Sequence, residues 1–101
     1  MIVLHASFPI EPDRLDEALD IAETLVEESN EEDGTIDYRA ATDIQDGNVI
    51  RFFEQYEDAE ALEAHTDSEH FQRLEAALPD LLAGEPEVYQ FEVDSVTELE
   101  L

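Results

Sequence analysis

Ile2-Val3-Leu4-His5-Ala6-Ser7-Phe8 is rich in β-forming residues and runs into Pro9, so it predicts a strand. Ile2, Leu4, Ala6 and Phe8 fall on one face, with Val3, His5 and Ser7 on the other. The period then changes. From Pro12, a good first-turn residue, Leu15, Ala18, Leu19, Ala22, Leu25 and Val26 recur at helical spacing, with Gly34 as the stop. Thr35 to Thr42 and Val49 to Tyr56 read as strands around the turn signal Asp46-Gly47-Asn48, a hairpin. Asp58 caps a helix through Ala59, Leu62 and His65. Thr66-Asp67-Ser68 bends or restarts it, and a second run turns Phe71, Leu74, Leu78 and Leu81 inward. Pro79 is expected to break or kink that run, and Gly84 to end it. Val88 to Val93 is the last strand, followed by a short tail.

The order is β-α-β-β-α-β, which predicts an α+β, ferredoxin-like domain over residues 1–101. Its four-stranded antiparallel sheet carries both helices on one face. The other face holds Val3, Val49 and Phe53, and a bare apolar face calls for a partner. Two such sheets packed together give a homodimer, a dimeric α/β barrel.

Charge changes the picture more than composition does. The chain has 29 Asp and Glu against four arginines (Arg14, Arg39, Arg51, Arg73), no lysine, and a net charge of -25. On the first helix Asp13/Glu17, Asp16/Asp20, Glu23/Glu27, Glu27/Glu31 and Glu28/Glu32 are like-charge pairs four apart. Together they cost roughly 1–2.5 kcal/mol at low salt. In molar salt the screening length falls to about 3 Å and the repulsion fades. Acids spread along a chain that is 43% hydrophobic point to a cytoplasmic protein of a salt-accumulating halophile. They argue against nucleic-acid and anionic-membrane partners, which need Lys and Arg. The absence of cysteine excludes disulfides, a thiolate nucleophile and Cys-based metal centres. The apolar start is too short, and lacks the basic flank, for a signal peptide or a membrane span.

Phe53-Glu54-Gln55-Tyr56-Glu57-Asp58-Ala59-Glu60-Ala61-Leu62-Glu63-Ala64-His65 carries a family likeness. So do Ser68-Glu69-His70-Phe71-Gln72 and Pro86-Glu87-Val88-Tyr89-Gln90-Phe91. Together they resemble the antibiotic biosynthesis monooxygenase family, including its quinol monooxygenase-like members, over nearly the whole chain. The resemblance implies a dimeric barrel with a pocket in each protomer between helices and sheet. It implies oxygenation of a small quinol, polyphenol or anthrone by O₂, with no cofactor and no metal. A non-catalytic dimeric ligand-binding or stress-response module of the same fold is the alternative. Isomerisation of a small carbonyl compound is a third possibility.

Such chemistry needs a base near neutral pKa, a hydrogen bond to the substrate oxygen and a dry cavity. His65 follows Leu62 by three and Ala61 by four, and by resemblance sits where relatives place a pocket Trp or His. It is the expected base, with Tyr56 or Arg39 holding the oxygen and Phe52 and Phe71 as walls. The plainer readings are a packed helix-end histidine, core aromatics and an ion-paired arginine. His70 is a further candidate for the substrate site. On an unbroken helix it lies about 140° from His65, unlike an i, i+4 metal pair, though the bend can bring them together. His5 is an interface residue or a pocket residue, depending on strand register. Tyr38 and Tyr56 add hydroxyls that can orient an oxygen. Glu54, an acid in an apolar strand, is a second base or an arginine's partner. The chain has no tryptophan, and Glu75 falls near the haem-ligand position of the haem-degrading relatives, so haem degradation is not expected.

Overall fold

The computed structural model describes all 101 residues. Strand β1 (Ile2–Pro9) is followed by a single 3₁₀ turn (Pro12–Arg14) and helix α1 (Leu15–Asn30). Strands β2 (Thr35–Thr42) and β3 (Val49–Tyr56), helices α2 (Ala59–Thr66) and α3 (Glu69–Leu81), and strand β4 (Glu87–Glu92) complete the order. The sheet is antiparallel throughout, in the order β2-β3-β1-β4. This is the ferredoxin-like arrangement, with the second helical segment divided in two.

Pairing register sorts the side chains. Tyr38, Glu54, Leu4 and Gln90 form one row across the sheet, and Ala40, Phe52, Ala6 and Val88 form the next. These rows face the helices. Arg39, Phe53, His5 and Tyr89 form a row on the opposite face, beside Gln55, Val3 and Phe91. No helix covers that second face, so Phe53, Tyr89 and Phe91 stay exposed. His5 therefore belongs to the open face.

The core lies between the inner rows and the helices. Ala18, Ala22 and Leu25 of α1 meet Leu74 and Leu81 of α3 and Phe8, Ile50 and Phe52 of the sheet. The α1 stripe is narrower than its spacing suggests, because Leu19 is only partly covered at the margin. Ser29 continues the stripe and is fully buried.

Local chemistry explains the boundaries. The Asp58 carboxylate accepts from the Ala61 N–H at 2.9 Å, and the Ser68 hydroxyl accepts from the Phe71 N–H at 3.2 Å. Two caps in close succession are why the bend at Thr66 to Ser68 starts a new helix. Pro79 does not break α3. Only Asp80 and Leu81 follow it in α3, so it forfeits one bond, to the Glu75 carbonyl, without interrupting a long run, and the Leu82 N–H still reaches the Leu78 carbonyl at 2.9 Å. Gly34 is not a left-handed helix stop either, since no residue has positive φ and α1 already ends at Asn30. Its missing side chain makes room for α2: a Cβ there would lie 2.3 Å from the Ala61 Cβ. Asn30 ties α1 to β2, donating to the Tyr38 carbonyl at 2.9 Å and accepting from the Tyr38 N–H at 3.0 Å.

Candidate active site

Where α2 and α3 lift away from the β1–β4 half of the sheet they leave a cavity of about 490 Å³. Leu4, Ala6 and Phe8 floor it, Leu62, Phe71, Leu74 and Leu78 roof it, and Pro86, Val88 and Gln90 border its β4 side. Within this apolar lining Tyr38, Glu54, His65 and Glu75 carry the chemistry.

His65 closes the last turn of α2 and is 1% exposed. Its ring packs at a tilt against Tyr38 and Tyr56 and edge-on against Phe71, with centroids 5.2, 5.4 and 5.3 Å away. Nδ1 lies 3.0 Å from Glu32 Oε2, in the turn after α1. Nε2 is buried with no protein partner. Burial holds the His65 pKa below its ordinary value, against the opposing pull of Glu32. An Nδ1–H donated to Glu32 leaves the Nε2 lone pair available, the arrangement of an oriented general base.

Glu54 sits opposite, in the row with Tyr38 and Leu4, and is almost fully buried. It pairs with no arginine. Tyr56, two residues on and on the same strand face, donates its hydroxyl to Glu54 Oε1 at 2.6 Å. Desolvation raises the Glu54 pKa to about 7, although hydrogen bonds from Tyr56 and Tyr38 pull it down. Burial, followed by the Glu54 charge, pushes both tyrosines well above the ordinary phenol value, so they remain donors.

The expected residues separate. His65 and Phe71 line the cavity. Tyr56 does not; it lies behind Glu54 and acts on it. Phe52 is also withdrawn, packed edge-on against Phe8 at 5.4 Å and against Tyr38 in the core. His70 lies behind His65 rather than in the cavity, with its ring nitrogens on Glu32 and Glu28. Arg39 is on the other face of the sheet, mostly exposed and paired with Asp37 at 3.1 Å. Strand alternation accounts for this, since Tyr38 takes the inward position beside it. Glu32 is the residue that sequence reasoning overlooked. It is one acid among 29, and its contacts span 33 and 38 residues.

The profile of the family described as antibiotic biosynthesis monooxygenase matches residues 1–77. The chain belongs to this family. It is 30% identical over 93 residues to the candidate monooxygenase YcnE of Bacillus subtilis strain 168, covering 92% of this chain and 98% of that one. It is 29% identical over 92 residues to the uncharacterised protein sll1783 of Synechocystis, covering 91% of this chain. There it spans 63% of the relative's length. A crystal structure of an antibiotic biosynthesis monooxygenase superposes with a TM-score of 0.87 at 26% identity, covering 94% of this chain and all of that one. The family member described here thus keeps the α+β fold and places its ionisable cluster between helices and sheet. No helix is long and apolar enough to cross a membrane.

Proposed function

We propose that the cavity performs a cofactor-independent monooxygenation, in which a small quinol or polyphenol is oxidised by O₂. The observation that carries this reading is His65: Nδ1 is held by a carboxylate, and the other nitrogen is left without a partner at an apolar cavity. His65 Nε2 takes the phenolic proton. With Glu54 protonated, the Tyr38 hydroxyl turns its one proton from Glu54 to the resulting oxyanion. The electron-rich ring passes one electron to O₂, and the organic radical and superoxide combine at a ring carbon. Glu54, which holds a proton up to about pH 7, supplies one to the peroxide. The O–O bond then breaks. One oxygen stays on the substrate, which has lost two hydrogens, and the other leaves as water. Phe71 and the leucines exclude solvent while charge is exposed.

The bare sheet face supports a homodimer through that face. Phe53 is 41%, Tyr89 56% and Phe91 51% exposed there. Apolar side chains clustered on one uncovered surface are the usual mark of an interface. We place this homodimer in the salt-rich cytoplasm of a halophile. The test is oxygen uptake in molar KCl against a panel of quinols and anthrone-type phenols. Wild type should consume O₂, and His65→Gln should lose at least about 100-fold, the usual contribution of a general base. If wild type binds phenols without uptake, the oxygenase reading fails and the fold serves as a ligand-binding module.

A further inference from the structure

We propose that Glu32, His65 and His70 form a binding site for one divalent transition-metal ion of the zinc type. Their ligand atoms all lie within 4.8 Å of one another. They come from the turn after α1, the end of α2 and the first turn of α3, so the fold gathers them where the sequence does not. His65 Nδ1 and His70 Nε2 both converge on Glu32 Oε2, while Glu32 Oε1 is buried without a partner. A carboxylate oxygen accepts two hydrogen bonds readily, but here the second oxygen is left buried and unpaired, and an ion held by the three side chains would engage the carboxylate and both ring nitrogens together.

Ligand chemistry selects the ion. Two imidazoles and one carboxylate form a zinc-type set with a position left for water, and imidazole disfavours magnesium and calcium. Ligand atoms each about 2.0–2.1 Å from one ion lie at most about 4.2 Å apart. In a tetrahedral site they lie about 3.4 Å apart, so the 4.8 Å cluster has to close by side-chain rotation as the ion binds. The supporting layer is also present. His70 Nδ1 lies 3.2 Å from Glu28 Oε2, and Arg73 holds that same oxygen at 3.1 Å. A metal-bound histidine ordinarily gives its second N–H to a carboxylate in this way. The cluster is not a patch of surface acids, because His65, His70 and Glu32 are 1%, 14% and 17% exposed. On its outer side His70 borders a depression beside Asp20, Thr24 and Arg73.

This site does not depend on what the cavity does. It does have a consequence for His65. An ion on Nδ1 moves the ring proton to Nε2, so the loaded protein cannot also use that nitrogen as a base.

The test is titration of EDTA-treated protein in molar KCl, which suppresses loose binding by surface acids. Zinc is followed by calorimetry and cobalt(II) by visible absorption. The proposal expects one zinc per chain, ligand-field bands from bound cobalt, and no displacement by excess magnesium. His70→Ala and Glu32→Gln, each checked for folding by circular dichroism, should each weaken zinc binding at least about 10-fold. Absence of one-to-one uptake by wild type overturns the site. So does unchanged affinity in the two folded variants, which assigns the binding to surface carboxylates. Neither readout involves oxygen uptake, so the site and the proposed activity can fail separately.

Discussion

Glu54 shows how one residue's surroundings decide its chemistry. In solution it would titrate near 4.5; burial, opposed by the Tyr56 and Tyr38 hydrogen bonds and aided by the Glu32 charge, pushes it up to about 7. His65 and Glu75 also face the same cavity. Above about pH 7 the folded protein bears the full cost of a buried carboxylate. Between about 4.5 and 7 the folded state holds a proton that the unfolded chain has released, so stability falls as pH rises through that window. Below it both states are protonated and the difference vanishes. The displacement corresponds to about 3 kcal/mol. Glu54→Gln keeps an acceptor for Tyr56 and removes the charge. It should be more stable than wild type by about 1–3 kcal/mol at pH 8 and nearly equal at pH 4.5, as measured by urea unfolding. A difference independent of pH would show that Glu54 is not desolvated in the folded protein. Glu54 was noticeable in the sequence as an acid within an apolar strand, but its role was not. A second base and an arginine's partner both stay open until the inward face of β3 is known, and the tyrosine two residues on enters neither reading.

At the scale of elements, most of the fold was readable from periodicity. The two-residue repeat of β1 and the Asp58 and Ser68 caps act through neighbours only a few residues away. What was missed depends on distant contacts. Gly34 looked like a helix stop, yet its requirement comes from Ala61 on another helix. Gly34→Ala should therefore destabilise the fold by about 1–3 kcal/mol, because the new methyl must displace α2. The melting temperature should fall correspondingly. A variant as stable as wild type would mean that α2 is free to move. Asn30 likewise resembles an ordinary last residue of an acidic helix, and only the position of Tyr38 shows that it bridges two elements. The Glu32, His65 and His70 cluster lay outside local reasoning for the same reason. The bend after α2 could have brought the two histidines together, but nothing local indicated that Glu32 would meet them.

For the whole molecule, charge and the open sheet face dominate. A net charge of -25 on 101 residues favours expansion in dilute buffer. The melting temperature should rise from dilute buffer to molar KCl as screening takes hold. A flat profile would contradict the halophilic reading. Light scattering in molar KCl should give about twice the 11.5 kDa chain mass, and Phe53→Glu should return it to one. A wild-type monomer under those conditions would remove the sheet-face dimer. The central claim is that His65, held by Glu32, deprotonates a phenol at the cavity for attack on O₂. Oxygen uptake in molar KCl by wild type and His65→Gln tests it most directly. The account predicts uptake with a quinol or anthrone-type phenol that falls at least about 100-fold in the variant. Uptake that persists undiminished in a folded His65→Gln protein would contradict it.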